Sequence, residues 1–61
     1  MKITPEKIKQ LRQQLDISQQ DFAILLGIAL QTVHRWETGK NKPSRMAKNL
    51  LEKLFAEHNI E

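Results

Sequence analysis

QQDFAILLGIALQTVHRWET, residues 19–38, is the stretch whose reading decides the fold. Suppose two short helices meet near a right angle through a tight turn. The first must then offer a small side chain where the second crosses, and Ala23 stands there. Four positions later the turn needs a residue free to take a left-handed backbone, and Gly27 supplies it. Ile28 follows as an apolar plug, and Val33 and Trp36, three apart, share a face that points back at the first helix, with Phe22 completing the core of the pair. At about 100° per residue, Ala29, Val33, Trp36 and Glu37 fall on one side, whereas Gln31, Arg35 and Thr38 fall on the other. The spacing predicts a helix over 18–26, a turn at Gly27 and a second helix over 29–37.

The flanks read as helix too. Thr4 is a good N-cap and Pro5 suits a first helical position, where its missing N–H costs nothing. Ile8, Leu11 and Leu15 then recur at spacings of three and four, among Lys7, Lys9, Gln10, Gln13 and Gln14, so an amphipathic helix is expected over about 5–15. Asp16-Ile17 forms a short connection, and Ser18 caps the next helix with Asp21 three residues on. Thr38-Gly39-Lys40-Asn41-Lys42-Pro43 is the one clear loop. Beyond it Ser44 caps a last segment, one long helix or two short ones, in which Met46, Leu50, Leu51, Leu54 and Phe55 make an apolar stripe. Nothing alternates with period two, and no linker or repeat divides the chain. The expected architecture is one all-α domain of four or five helices over residues 1–61.

Composition narrows the function. Sixty-one residues can bury only about 60% of the unfolded surface, which leaves little room for a catalytic cleft. Without cysteine there is no disulfide, thiolate metal site or Cys nucleophile. His34 and His58 are too far apart in sequence, and too alone, to suggest zinc; Ser18 with either histidine lacks an acid to complete a triad. Neither catalysis, nor a metal, nor a cofactor is expected. A mean hydropathy of −0.55 and the lack of a long apolar run argue against a membrane span, and residues 1–15 lack the apolar centre of a signal peptide. The expected location is the cytoplasm. The net charge of +3 says little, but its distribution is uneven. Arg35, Lys40, Lys42, Arg45 and Lys48 face only Glu37 over residues 35–48, a local +4. Over residues 49–61, Lys53 stands against Glu52, Glu57 and Glu61, a local −2. A basic segment beside an outward Gln31 and Arg35 suits nucleic acid.

The sequence resembles the lambda-repressor/Cro-like helix-turn-helix regulators, also called the XRE family. The matching stretches are Ile17-Ser18-Gln19-Gln20-Asp21-Phe22-Ala23, Gly27, and Thr32-Val33-His34-Arg35-Trp36-Glu37-Thr38-Gly39-Lys40-Asn41-Lys42-Pro43. The likeness covers about residues 3–55, and the helix-turn-helix itself falls at about 18–37. The resemblance implies a regulator of transcription, in the first place a repressor, that binds a double-stranded DNA operator as a symmetric dimer. Helix 29–37 would be the recognition helix, with its N-terminal residues on base edges of the major groove. Gln31 can bond adenine bidentately and Arg35 can grip guanine; Thr32 suits a thymine methyl or a phosphate, and His34 either kind of contact. Leu30, where these proteins usually carry a polar residue, can meet thymine methyls. Phosphate contacts are expected from Gln19 at the start of the first helix of the pair, from Lys40, Asn41 and Lys42 in the loop, and from Arg45. The resemblance also implies a structural salt bridge between Arg12 and Glu37.

Several features admit plainer readings. Trp36 is in phase with Val33 and belongs to the core rather than to a base stack. The basic cluster alone could be a solvated face; beside the helix-turn-helix spacing it reads as an interface. Ala29 stands where the family usually caps its recognition helix with Ser or Thr. Ile24, usually polar in the family, is either incidental surface hydrophobicity or a protein contact. Leu51, Leu54, Phe55 and Ile60 are the expected dimer surface unless they complete the core. Short relatives include phage-type repressors, plasmid regulators and antitoxins of toxin–antitoxin operons. Ile24 and the C-terminal stripe are the candidate contacts for a toxin. The competing class is a protein-interaction scaffold that has lost DNA binding.

Overall fold

Residues 3–60 are described by a computed structural model of the chain. Four helices follow one another: α1 (Pro5–Gln14), α2 (Gln19–Leu26), α3 (Leu30–Glu37) and α4 (Arg45–Glu57), with no strand among the described residues. The last segment is therefore one helix. Capping defines three of the four starts. Lys7 N–H donates to Thr4 Oγ1 at 3.2 Å, Asp21 N–H to Ser18 Oγ at 3.1 Å, and Ala47 N–H to Ser44 Oγ at 3.3 Å. The fourth, α3, starts at Ala29 with no side-chain cap.

All four helices stop in the same way. The chain turns through one residue in the left-handed conformation, and that residue and the next donate back to the last turn. At the end of α1, Asp16 has φ 57°, with Asp16 N–H bonded to Gln13 O at 3.0 Å and Ile17 N–H to Arg12 O at 3.3 Å. Gly27 has φ 71° and bonds Ile24 O, while Ile28 bonds Ala23 O at 3.0 Å. Gly39 has φ 79° and bonds Trp36 O, while Lys40 bonds Arg35 O at 2.9 Å. Asn59 has φ 57° and bonds Ala56 O, while Ile60 bonds Phe55 O at 2.8 Å. These are the positive-φ residues among those described. In three cases the next residue is isoleucine, and each of these packs on or within the core. In the fourth it is Lys40, which is exposed.

Ile8 and Leu11 of α1, Phe22 and Ala23 of α2, Val33 and Trp36 of α3, and Leu51, Phe55 and Ile60 from the C-terminal segment form the buried cluster. Ile3, Leu15, Ile17, Leu26, Ile28, Ala47 and Leu54 pack around it. This corrects the sequence expectation for α4. Leu51, Phe55 and Ile60 are in the core, and Leu54 is half-buried against it, so they do not supply a free dimer surface. The exposed apolar residues of α4 are instead Met46, at 84%, and Leu50, at 40%. The reason is geometric: Leu51 and Phe55, four apart, take one face of the helix, and Met46 and Leu50 fall on its flank. Ala29 is also exposed rather than inward, because it precedes the first helical turn. Among the described residues, no helix is long and apolar enough to cross a membrane.

Candidate nucleic-acid interface

α3 is positioned from both sides. Val33 and Trp36 sink into the core, and Glu37, at the last position of the helix, is buried with them. A carboxylate cannot be left unpaired there without a large penalty, and it is not. Arg12 Nε donates to Glu37 Oε2 at 2.8 Å and Arg12 Nη2 to Glu37 Oε1 at 3.1 Å, a bidentate pair. Arg12 Nη1 donates to Ile17 O at 3.1 Å, and Gln19 Nε2 adds a third bond to Glu37 Oε1 at 3.1 Å. One buried carboxylate thus ties together α1, the α1–α2 turn, the start of α2 and the end of α3. Burial pushes the Glu37 carboxyl up, but hydrogen bonds from Arg12 and Gln19 and attraction to Arg12 and Lys9 outweigh it, so it is held below the usual carboxylate range. The Arg12 guanidinium is raised, chiefly by its hydrogen bond to Glu37 and against its own desolvation.

Opposite this anchored face, Leu30, Gln31, His34 and Arg35 are exposed and Thr32 is half-buried. Gln31 and Arg35, four apart, stand on one line along the helix. An α-helix with its side chains is about 10–12 Å across, which matches the DNA major groove, about 12 Å wide. The loop beyond it is held by α3 itself. Arg35 O accepts from Lys40 N–H at 2.9 Å and from Asn41 N–H at 3.4 Å. Thr38 Oγ1 donates to His34 O at 3.0 Å and to Arg35 O at 3.3 Å. Lys40, Asn41 and Lys42 are exposed, as are Arg45 and Lys48 in the first turn of α4.

Gln19 and Thr32 are less accessible than the other candidates, and Gln19 is also partly committed. It is half-buried, and one amide hydrogen is committed to Glu37, which leaves its second amide hydrogen and its backbone N–H for a ligand. Sequence reasoning missed two contributors. The Thr38 hydroxyl helps fix the loop that carries Lys40 and Asn41, and its place one residue past the helix was the available signal. The left-handed turn at Asp16 brings Ile17 O under Arg12, a role that no local motif announces.

Two short helices joined by a left-handed glycine turn, the second anchored inward and polar outward, define a helix-turn-helix. A sequence model of the helix-turn-helix family matches residues 8–55, and the chain belongs to that family, in its lambda-repressor/Cro-like (XRE) branch. Among characterised proteins it is similar to the antitoxin HigA-2 of Vibrio cholerae serotype O1, with 36% identity over 58 residues. That match takes in 95% of this chain and 55% of the relative, so the chain spans about half the relative's length. No solved structure matches the chain.

Proposed function

We propose that the protein is a sequence-specific double-stranded DNA-binding regulator of transcription, acting as a repressor when it occupies its operator. The observation that carries this is the outward face of α3. Exposed Gln31 and Arg35 stand on one line of a helix fixed from behind, with the Lys40–Asn41–Lys42 segment bonded to its end. Gln31, Thr32, His34, Arg35 and Leu30 are the base-reading residues. Gln19, Lys40, Asn41, Lys42 and Arg45 hold phosphates, with the second amide hydrogen of Gln19 as its donor. One eight-residue helix reads few base pairs, so two copies bind together, with half-sites about 34–36 Å apart. Such a ligand places the protein with the nucleoid in the cytoplasm.

Selection of bound sites from a random duplex pool at fixed salt, followed by titration by fluorescence anisotropy, tests this reading. Arg35→Ala should weaken the selected site by about 1–3 kcal/mol and relax preference at one base pair. Lys42→Ala should weaken all sequences alike and lower the slope of log K against log salt by about 1. No binding, or binding indifferent to salt, would overturn the proposal in favour of a protein-interaction scaffold.

A second reading, that the regulator is also an antitoxin, is favoured by the name of its Vibrio relative. Ile24 and Leu25 stand exposed on α2, with Leu15, Ile17 and Asp21 beside them in one shallow depression that none of the proposed DNA-reading residues lines. A toxin would be contacted there. Co-expression with the product of an adjacent gene, wild type against Ile24→Asp, tests it. Loss of a co-purifying complex in the variant supports the reading; a complex insensitive to Ile24 removes this surface from it.

A further inference from the structure

Lys40, Lys42 and Arg45 carry donors only, so they can meet a phosphate however their ends turn. Gln19 cannot, because its amide has donors on one side and an acceptor on the other. A phosphate diester only accepts and repels the carbonyl side, so an unguided glutamine would present the wrong atom in part of its population. Glu37 removes that freedom. Its carboxylate also only accepts, and Arg12 holds both of its oxygens, Nε on Oε2 at 2.8 Å and Nη2 on Oε1 at 3.1 Å. Gln19 Nε2 donates to the same Oε1 at 3.1 Å. Turning the amide over would set its carbonyl oxygen against a buried carboxylate and leave that contact without a proton. The nitrogen is thus fixed towards Glu37, and its second hydrogen stays free at the first position of α2.

We propose that Glu37 is a positioning residue for DNA binding: through Gln19 it makes a donor, rather than a carbonyl oxygen, face the phosphate at the start of α2. This rests on the DNA-binding reading above and gives the buried ion pair a task beyond holding helices together. Glu37 itself touches no DNA; it acts only by orienting the amide between it and the phosphate.

The test neutralises the phosphates of the selected operator one at a time as methylphosphonates and measures affinity by fluorescence anisotropy at one salt concentration. Wild type should lose about tenfold at one phosphate, the factor for a hydrogen bond to a charged group, and Gln19→Ala should remove that dependence. Arg12→Met/Glu37→Met, which strands no buried charge, should lose the dependence there and keep it at the phosphates held by the loop lysines. Adding Gln19→Lys to that pair should restore it, because an ammonium needs no orienting. A helix start merely loosened by loss of the ion pair would not be rescued, and that result overturns the proposal. So does a dependence unchanged in Arg12→Met/Glu37→Met, with DNA reading intact. A measurement on the unaltered chain covers the case in which that variant does not fold. In the NMR spectrum of the wild-type operator complex, one Gln19 side-chain amide proton should show an NOE to the protons on Arg12 Nη2, with which it shares Oε1. The other should shift when the phosphate is neutralised. Absence of that NOE in the complex also overturns the proposal. Failure to select any site overturns both readings. Thermal melts of the variants control for folding.

Discussion

Glu37 decides more at the scale of single residues than its one charge suggests. Its side chain is 1% exposed and that of Arg12 20%. Removing one partner strands the other charge, which costs about 3–5 kcal/mol, comparable with the whole stability of a domain this small. Arg12→Ala should therefore leave the chain largely unfolded at 37 °C by circular dichroism. Arg12→Met/Glu37→Met should melt higher than either single variant, because replacing both charges removes the unpaired one. A thermal melt unchanged in Arg12→Ala would refute this account. Acid follows the same logic. A carboxyl held below its ordinary value of about 4.3 contributes stability that is present above that pH and lost as pH falls through the lower folded value. Glu37→Gln should melt below wild type at pH 7, and the gap should narrow steadily below about pH 5. A constant gap down to pH 3 would show that the ionised form is not what stabilises the fold.

Helix ends, rather than helix interiors, carry the information at the scale of elements. Gly27 takes φ 71° with nothing within 4 Å of where a Cβ would lie, so Gly27→Ala meets only conformational strain. It should cost about 1–2 kcal/mol, or about 4–8 °C of Tm per kcal/mol. The opposite change is available at Ala29, where α3 has no side-chain cap: Ala29→Ser should stabilise by about 1 kcal/mol, read as a rise in Tm. Starts were legible in the sequence because Thr4, Ser18 and Ser44 are strong local caps. Of the ends, Gly27 announced itself, whereas Asp16 and Asn59 did not. Aspartate and asparagine tolerate the left-handed conformation without demanding it, so only the packing of Ile17 and Ile60 selects it.

Association belongs to the whole molecule. With Leu51, Phe55 and Ile60 enclosed, the apolar surface left on α4 is Met46 and Leu50, which share a shallow groove with Leu26, Ile28, Trp36 and Ala47. If two copies pair on an operator through this groove, Leu50→Asp should abolish cooperative binding to the two half-sites. It should leave single half-site affinity and the melting temperature nearly unchanged, which footprinting titrations and a thermal melt would read. Leu51→Asp, by contrast, should unfold the chain. The sequence by itself determined the first three helices, the turn at Gly27, the inward Val33 and Trp36 and the outward Gln31 and Arg35, because each follows from local backbone preference or helical phase; it left the last segment open between one helix and two. The tertiary structure decided which apolar residues of α4 are core and which are surface, that the last segment is one helix, and that the carboxylate paired with Arg12 also takes an amide hydrogen of Gln19 and so draws in α2. Periodicity marks an apolar face without saying how wide the neighbouring helices make its cover. Pairings between residues 18 and 25 positions apart depend on where whole helices cross, which no local rule contains.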